Sequence, residues 1–314
     1  MNGAEPQIEI FKPFGEAFEL MKRILFQPFD LKKWCVIGFS AFLANLSGGF
    51  NFNFNFRNPW DRGPLWKGWN QSGDKVLSWD QMPVWVVVLI VVAVILIFAI
   101  IVLLMWIGSR GRFIFTDCIV KNRAAIAAPW REFRKEGNSL FLFSLLVCLV
   151  FVTIALLVLV PIFLPNILHW KPSDLRLVVE ISSLVSIIFV ILLLALAWVL
   201  VSDFMTTIMY RRRCRAGQAF RAVASLIATY PGEIVLYCLF VIALALASAM
   251  IGCASMCVTC CITAIPYVGT VILLPIFVLF RSFSLMFLRQ FGPEYDVWAN
   301  ITAPEPPPLP PTQI

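Results

Sequence analysis

Charge and histidine are the scarcest features of this chain of 314 residues. Asp, Glu, Lys and Arg make up 14% of it, hydrophobic residues make up 60%, and there is one histidine. Soluble globular domains carry about 25% charged residues. So little charge excludes a soluble globular protein. The lone His169 has no Ser, Cys or acid at a spacing that suggests catalysis.

The longest uncharged run lies between Glu233 and Arg281 and has 47 residues. A helix needs about 20 apolar residues to cross a bilayer core of about 30 Å, so this run accommodates two crossings. Transmembrane β-strands would instead alternate in polarity over segments of about ten residues. The sequence therefore predicts an all-α polytopic integral membrane protein with six transmembrane helices in three hairpins: 34–50, 82–109, 139–164, 177–202, 234–262 and 268–288.

The chain divides into residues 1–33, a membrane domain at 34–291 and a proline-rich tail at 292–314. Residues 1–33 have no basic start followed by an apolar core, so no cleavable signal peptide is expected. Their apolar residues recur at helical spacing, which predicts an amphipathic helix in the membrane interface. A helix packed on another subunit is the alternative. The stripes are Phe11, Phe14, Phe18 and Leu25, and Ile10, Ala17 and Leu20.

Two details of the predicted spans concern helix packing. The first span contains Gly38, Ser40, Asn45 and Ser47, small and polar residues that favour packing against other helices over exposure to lipid. In the sixth, Pro275 predicts a kink, which is tolerated only where a neighbour satisfies the carbonyl that proline leaves free.

Lys and Arg are distributed unevenly among the segments between the predicted spans. The N-terminal segment and every second segment after it hold 19 of the basic residues, and the other segments hold 6. By the positive-inside rule, both termini lie in the cytoplasm.

Three short motifs suggest an internal repeat. Odd-numbered spans follow amphipathic pieces at 15–18, 129–133 and 217–221. Spans two and four end in Phe115-Thr116-Asp117 and Val201-Ser202-Asp203-Phe204, and span six in Arg281-Ser282-Phe283. The pattern predicts three units of one surface helix and one hairpin about a pseudo-threefold axis. Chance similarity is the alternative.

The net charge of +7 comes from basic clusters beside the spans, and no nucleic-acid-binding motif accompanies them. Near-surface Lys and Arg attract anionic lipid headgroups by about 1 kcal/mol each. The sequence therefore predicts membrane lipids with anionic headgroups as partners, and no nucleic acid. The predicted headgroup-binding residues are Arg211, Arg212, Arg213, Arg215, Arg131, Arg134 and Lys135.

Four cysteines are the nearest approach to a metal site: Cys253, Cys257, Cys260 and Cys261. The first three share one helical face, but one straight helix cannot surround an ion with four ligands. A small-residue packing stripe is therefore the preferred interpretation. The acids Glu180, Asp203 and Glu233 lie at span ends, where pairing with arginine is favoured over catalysis. No catalytic residue or cofactor is predicted, since no nucleotide, hydrolase or zinc-protease signature is present.

Three stretches resemble a known membrane domain: Phe14-Gly15-Glu16-Ala17-Phe18, Ile265-Pro266-Tyr267-Val268-Gly269-Thr270 and Phe283-Ser284-Leu285-Met286-Phe287-Leu288. They are similar to the six-span domain found on some bacterial glycerophosphodiester phosphodiesterases and to its stand-alone, uncharacterised relatives. In the fused enzymes the chemistry belongs to a separate barrel of about 250 residues, and nothing in this chain corresponds to it. The resemblance implies a bacterial inner-membrane module and no activity.

The leading functional hypothesis is a non-enzymatic membrane scaffold or a subunit that binds lipids and a membrane-protein partner or a second copy of itself. A carrier or channel for a lipid or small amphiphile, with its path between the hairpins, is the alternative. A membrane enzyme or metal-binding protein that uses the cysteine cluster is a weaker one.

Overall fold

The structure, a computed structural model, describes residues 9–46, 84–167, 201–258 and 265–299. These residues form helices and contain no strand. The helices are α1 Phe11–Phe26, α2 Leu31–Leu46, α3 Val84–Val120, α4 Ala127–Glu132, α5 Arg134–Ile167, α6 201–212, α7 Ala216–Thr229, α8 Pro231–Val258, α9 Pro266–Ile272 and α10 Leu274–Arg289.

Three of these helices, α3, α5 and α8, are long and apolar enough to cross a membrane. The prediction of an all-α membrane protein is confirmed at that level. Six spans are not shown, because α2 has 16 residues, or about 24 Å at 1.5 Å per residue, and the predicted sixth span is divided between α9 and α10. The predicted fourth span, 177–202, lies outside the described residues except at its last two positions.

The spanning helices expose apolar side chains along much of the length whose side chains the structure describes. Leu96 of α3 is 58% exposed and Leu149 of α5 is 65% exposed. In α8, Leu246 is 65% exposed. Water would make such surfaces unfavourable, whereas lipid tails are as apolar as leucine. The exposed lengths are therefore the lipid-facing part of the molecule.

Burial is concentrated where the last third of α3 meets α2, α6 and α10. Phe113 stacks on Phe133, with ring centroids 5.7 Å apart, and Tyr237 stacks on Phe287 at 4.4 Å. The crossing of α2 and α3 depends on Gly111, since a Cβ there would lie 2.5 Å from the carbonyl carbon of Leu43.

The predicted packing of α2 is confirmed for its described residues. Gly38, Ser40 and Ala41 are buried, and a Cβ on Gly38 would come within 2.8 Å of the Val271 side chain in α9. Small residues thus allow α2 and α9 to approach closely. Ser47 lies outside the described residues.

The break that Pro275 predicts is present between α9 and α10. Proline has no N–H for the carbonyl four residues earlier, which here belongs to Val271. The Trp34 indole Nε1 donates a hydrogen bond to that carbonyl oxygen at 2.9 Å. A side chain of α2 therefore satisfies the group that the break leaves free.

The buried face of α1 does not coincide with either of the two predicted apolar stripes. Ala17, from one stripe, and Leu25, from the other, are buried, and α1 packs on α10. Phe11 is 81% exposed and Phe18 is 43% exposed. Phe11 and Phe18 are therefore at the surface, whereas Leu25 of the same predicted stripe is buried. Met21 and Ile24, which belong to neither stripe, complete the buried face.

Candidate functional site

Segments predicted on the same side of the membrane lie together at one end of the molecule. The N-terminal helix contacts α10 through Phe14 and Phe283, whose ring centroids are 6.1 Å apart. The connection after α3 contacts the end of α6 through Phe133 and Tyr210, at 4.9 Å. We call the assembly of α1, residues 108–135, residues 201–215 and α10 the basal end. It contains every basic residue that the sequence nominated for headgroup binding.

A buried carboxylate, Asp117, organises the basal end. Its oxygens pair with Lys121 Nζ and with Arg123 Nη2, each at 2.7 Å, and accept a hydrogen bond from the Tyr210 hydroxyl at 2.9 Å. Glu132 continues the network by pairing with Arg213. The network ties the end of α3 to α4 and α6.

The protonation of this network follows from its surroundings. Burial and the Asp117 carboxylate raise the pKa of the Tyr210 phenol, which therefore stays protonated and donates its hydrogen bond. The hydrogen bond to Asp117 raises the pKa of Arg123. Near neutral pH the Tyr210 phenol therefore stays neutral and Arg123 stays charged, so both are fixed hydrogen-bond donors to Asp117.

A second polar joint connects the three predicted span exits. Arg281 donates from Nε and Nη2 to the Thr116 hydroxyl, at 3.1 and 2.9 Å. Its Nη1 lies 3.5 Å from an Asp203 carboxylate oxygen. The three predicted exits therefore meet, and the arginine in the third is bonded to residues of the other two. Asp203 is engaged in this joint, as its position at a span end predicted.

The predicted headgroup-binding residues divide into two groups. Arg212 pairs with Glu294 at 2.8 Å and Arg213 with Glu132, and Arg211 has a buried Nε without a hydrogen-bond partner. The others are exposed and have no ion pair within the described residues. We call this second group the open cations: Arg131, Arg134, Lys135 and Arg215.

Sequence reasoning missed one cation, Arg110. The helix was expected to end at Ser109, but α3 continues to Val120, so Arg110 lies inside a helix and is only 6% exposed. Its guanidinium carbon is 4.3 Å from the centre of the Trp106 ring and 5.1 Å from that of Trp130. A Trp one turn before an Arg, just after a long apolar run, was the available signal.

The other candidate sites gain no support. Cys253 and Cys257 are exposed, while Cys260 and Cys261 lie outside the described residues. The described part of the chain contains no group of three metal-ligating side chains. His169, Glu180 and the tail after residue 299 also lie outside the described residues.

Comparison with known families places this helical membrane protein in a group defined by sequence alone. Residues 9–290 match the Family of unknown function (DUF7544), and the chain belongs to that family. Comparison with curated proteins and with solved structures gives no match. The matched segment contains α1 to α10 entire.

Proposed function

We propose that the protein is a non-enzymatic membrane scaffold whose basal end holds anionic lipid headgroups and, with them, a membrane-protein partner or a second copy of the chain. The observation that carries the proposal is the position of the open cations. They lie at the start of α5, in the short α4 just before it and directly before α7, and none of them forms an ion pair within the described residues.

The geometry around α5 illustrates the argument. Arg134 and Lys135 begin α5 and are exposed, and seven residues further on Leu142 is 67% exposed. Seven residues of helix span about 10 Å. Cations thus stand about one headgroup layer from a lipid-facing side chain, which is the arrangement that draws acidic lipids to a helix end.

The proposed topology has six spans in three hairpins, with both termini in the cytoplasm of a bacterial inner membrane. Its support is the split of basic residues, 19 against 6, and the gathering of the richer set at one end. Reporter fusions check it. Positions 66 and 212 should report opposite sides, and a shared compartment would exclude the arrangement.

The lipid-binding proposal is tested with the triple variant Arg131→Ala, Lys135→Ala, Arg215→Ala. Arg134 is kept because it lies one helical turn before Asn138, which accepts a hydrogen bond from Arg110. Native mass spectrometry counts phosphatidylglycerol and phosphatidylcholine retained by protein purified from an equal mixture. At about 1 kcal/mol per cation, each loss should weaken phosphatidylglycerol retention by about fivefold.

The matched control keeps every charge in place: Arg131→Lys, Lys135→Arg, Arg215→Lys. It should retain phosphatidylglycerol as the natural protein does, because long-range attraction depends on charge more than on side-chain shape. Equal retention by the alanine variant and the natural protein would remove the basis of the proposal.

A further inference from the structure

The environment of Arg110 is unusual for a charge. No carboxylate in the described chain pairs with it, and its buried Nε has no hydrogen-bond partner. Its Nη2 donates a hydrogen bond to the Asn138 Oδ1 at 2.9 Å. A buried cation without a counter-charge is expensive, so this arrangement calls for an anion from outside the protein.

The neighbouring residues are arranged to hold an anion. Asn138 Oδ1 also accepts a hydrogen bond from the Trp106 indole Nε1 at 3.2 Å. Both of these bonds use Oδ1 as the acceptor, so neither uses the –NH₂ group of the Asn138 amide. Because Asn138 is exposed, that group is available to donate a hydrogen bond to a ligand. The exposed Arg134 lies one helical turn before Asn138 on α5, so the two side chains share one face of that helix, and one anion could be shared by Arg134 and Arg110.

The depth of this group identifies the source of the anion. Leu103, three residues before Trp106, is 52% exposed in the lipid-facing length of α3. Three residues of helix rise about 4.5 Å, which places Trp106 at the edge of the apolar layer. Tryptophan favours that level of a bilayer. The anion that meets Arg110 at this depth is a lipid phosphate.

One glycine makes room for the arginine. A Cβ on Gly137 would lie 2.8 Å from Arg110 Cγ and 3.4 Å from its Cα, so only glycine lets α5 approach this closely. The two tryptophan rings stand nearly perpendicular, at 86°, and both face the guanidinium. The packing therefore fixes Arg110 in position before any ligand arrives, which lowers the entropy lost on binding.

We propose that Arg110, Arg134 and Asn138 form a binding site for the phosphate of one anionic phospholipid. Arginine suits this role because its planar guanidinium can donate two parallel hydrogen bonds to phosphate. The inference rests on the proposed function. It adds one tightly held lipid, bound by Arg110 and Asn138 together with Arg134, which is also one of the open cations.

The decisive variant is Asn138→Asp, which keeps the side-chain shape and the acceptor for Arg110 and Trp106. The new carboxylate supplies the missing counter-charge inside the protein. The lipid-free variant should therefore melt at a higher temperature than the natural protein. It should also lose the stabilisation that short-chain phosphatidylglycerol, compared with phosphatidylcholine, gives to the natural protein.

Arg134→Gln is the second variant, chosen because Arg134 is exposed and its loss should leave the fold intact. It should weaken phosphatidylglycerol binding by about tenfold, the effect of one charge-assisted contact. The matched control is Arg221→Gln, which removes one exposed cation from α7 and should leave the tightly held lipid in place.

Three results would overturn the inference. They are equal stabilisation by both phospholipids, an unchanged phosphatidylglycerol effect in Asn138→Asp, and stabilisation by inorganic phosphate alone that matches that of the lipid. The triple variant at Arg131, Lys135 and Arg215 separates this inference from the proposed function. It should lose loosely held lipid and keep the tightly held one, whereas Asn138→Asp should do the reverse.

Discussion

The two parts of α3 differ in both sequence and surroundings. From Val84 to Leu103 the helix is aliphatic and aromatic and mostly exposed, with Val84 at 78%. From Gly108 to Val120 it contains Arg110, Thr116 and Asp117 and is mostly buried. The polar part is inside the protein and the apolar part is outside.

An exposed apolar part and a buried polar part are the arrangement expected of a helix in a lipid bilayer. In water, the apolar two-thirds would be buried and the polar third exposed. In a bilayer, lipid covers the apolar length, and polar groups must find partners within the protein. Asp117 and Thr116 have such partners at the basal end. The lipid-facing length needs only to be apolar, whereas the basal end needs particular residues.

The largest expected effect of a single change at the basal end is that of Asp117→Ala. The change leaves Lys121, Arg123 and Tyr210 without their shared acceptor. Breaking a buried ion pair costs about 3–5 kcal/mol. Both cations are about one-third exposed and can be hydrated, so we expect the lower end, about 3 kcal/mol, in the free energy of unfolding in mixed micelles.

Tyr210→Phe is the control for that change, because it removes one hydrogen bond and keeps both ion pairs. A hydrogen bond to a charged group contributes about 1.5–3 kcal/mol. The loss should therefore be smaller than for Asp117→Ala. Equal stability of Asp117→Ala and the natural protein would mean that the network does not hold the basal end together.

A charge in the lipid-facing length should have a different kind of effect. Leu96 is 58% exposed near the middle of that length. On an exposed surface in water, Leu96→Lys would change stability by less than about 0.5 kcal/mol. In a bilayer, a lysine at a helix centre costs about 3 kcal/mol of insertion free energy. Glycosylation mapping of membrane insertion measures the difference.

Leu96→Ile is the matched control and should insert as the natural helix does, since both side chains are equally suited to lipid. Insertion of Leu96→Lys at the natural level would place this surface against protein or water. The comparison between the two parts of α3 would then need a different explanation.

The lipid-facing lengths were predictable and much of the basal end was not. Hydropathy alone locates α3, α5 and α8, because lipid demands only a long apolar run. It also suggested a loop from Arg110 onward, where charge returns to the sequence. The helix continues there because Thr116 and Asp117 find partners on α10 and α6, which are more than 90 residues away in the chain.

The candidate site shows the same limit. The basic clusters were visible in the sequence, but their pairing was not. Arg212 and Arg213 meet carboxylates of Glu294 and Glu132, about 80 residues away, while Arg215 remains exposed. Charge counting cannot separate these cases, because the distinction depends on which helices become neighbours. Arg110 was overlooked for the same reason.

The smallest expected effect concerns the break between α9 and α10. Trp34→Phe keeps an aromatic ring but removes the N–H that bonds the Val271 carbonyl. An unsatisfied buried carbonyl costs about 1–3 kcal/mol. Trp34 is only half-buried and water can partly replace it, so we expect about 1 kcal/mol in the free energy of unfolding.

A double-mutant cycle with Pro275→Ala isolates this bond. Alanine has the N–H that proline lacks, so it offers the Val271 carbonyl the partner of a continuous helix. In that background Trp34→Phe should lose less stability than it does with Pro275 present, and the coupling should be about 0.5–1 kcal/mol. Additive losses would show that Trp34 contributes through ring packing. The proline break and the indole would then be independent features of the fold.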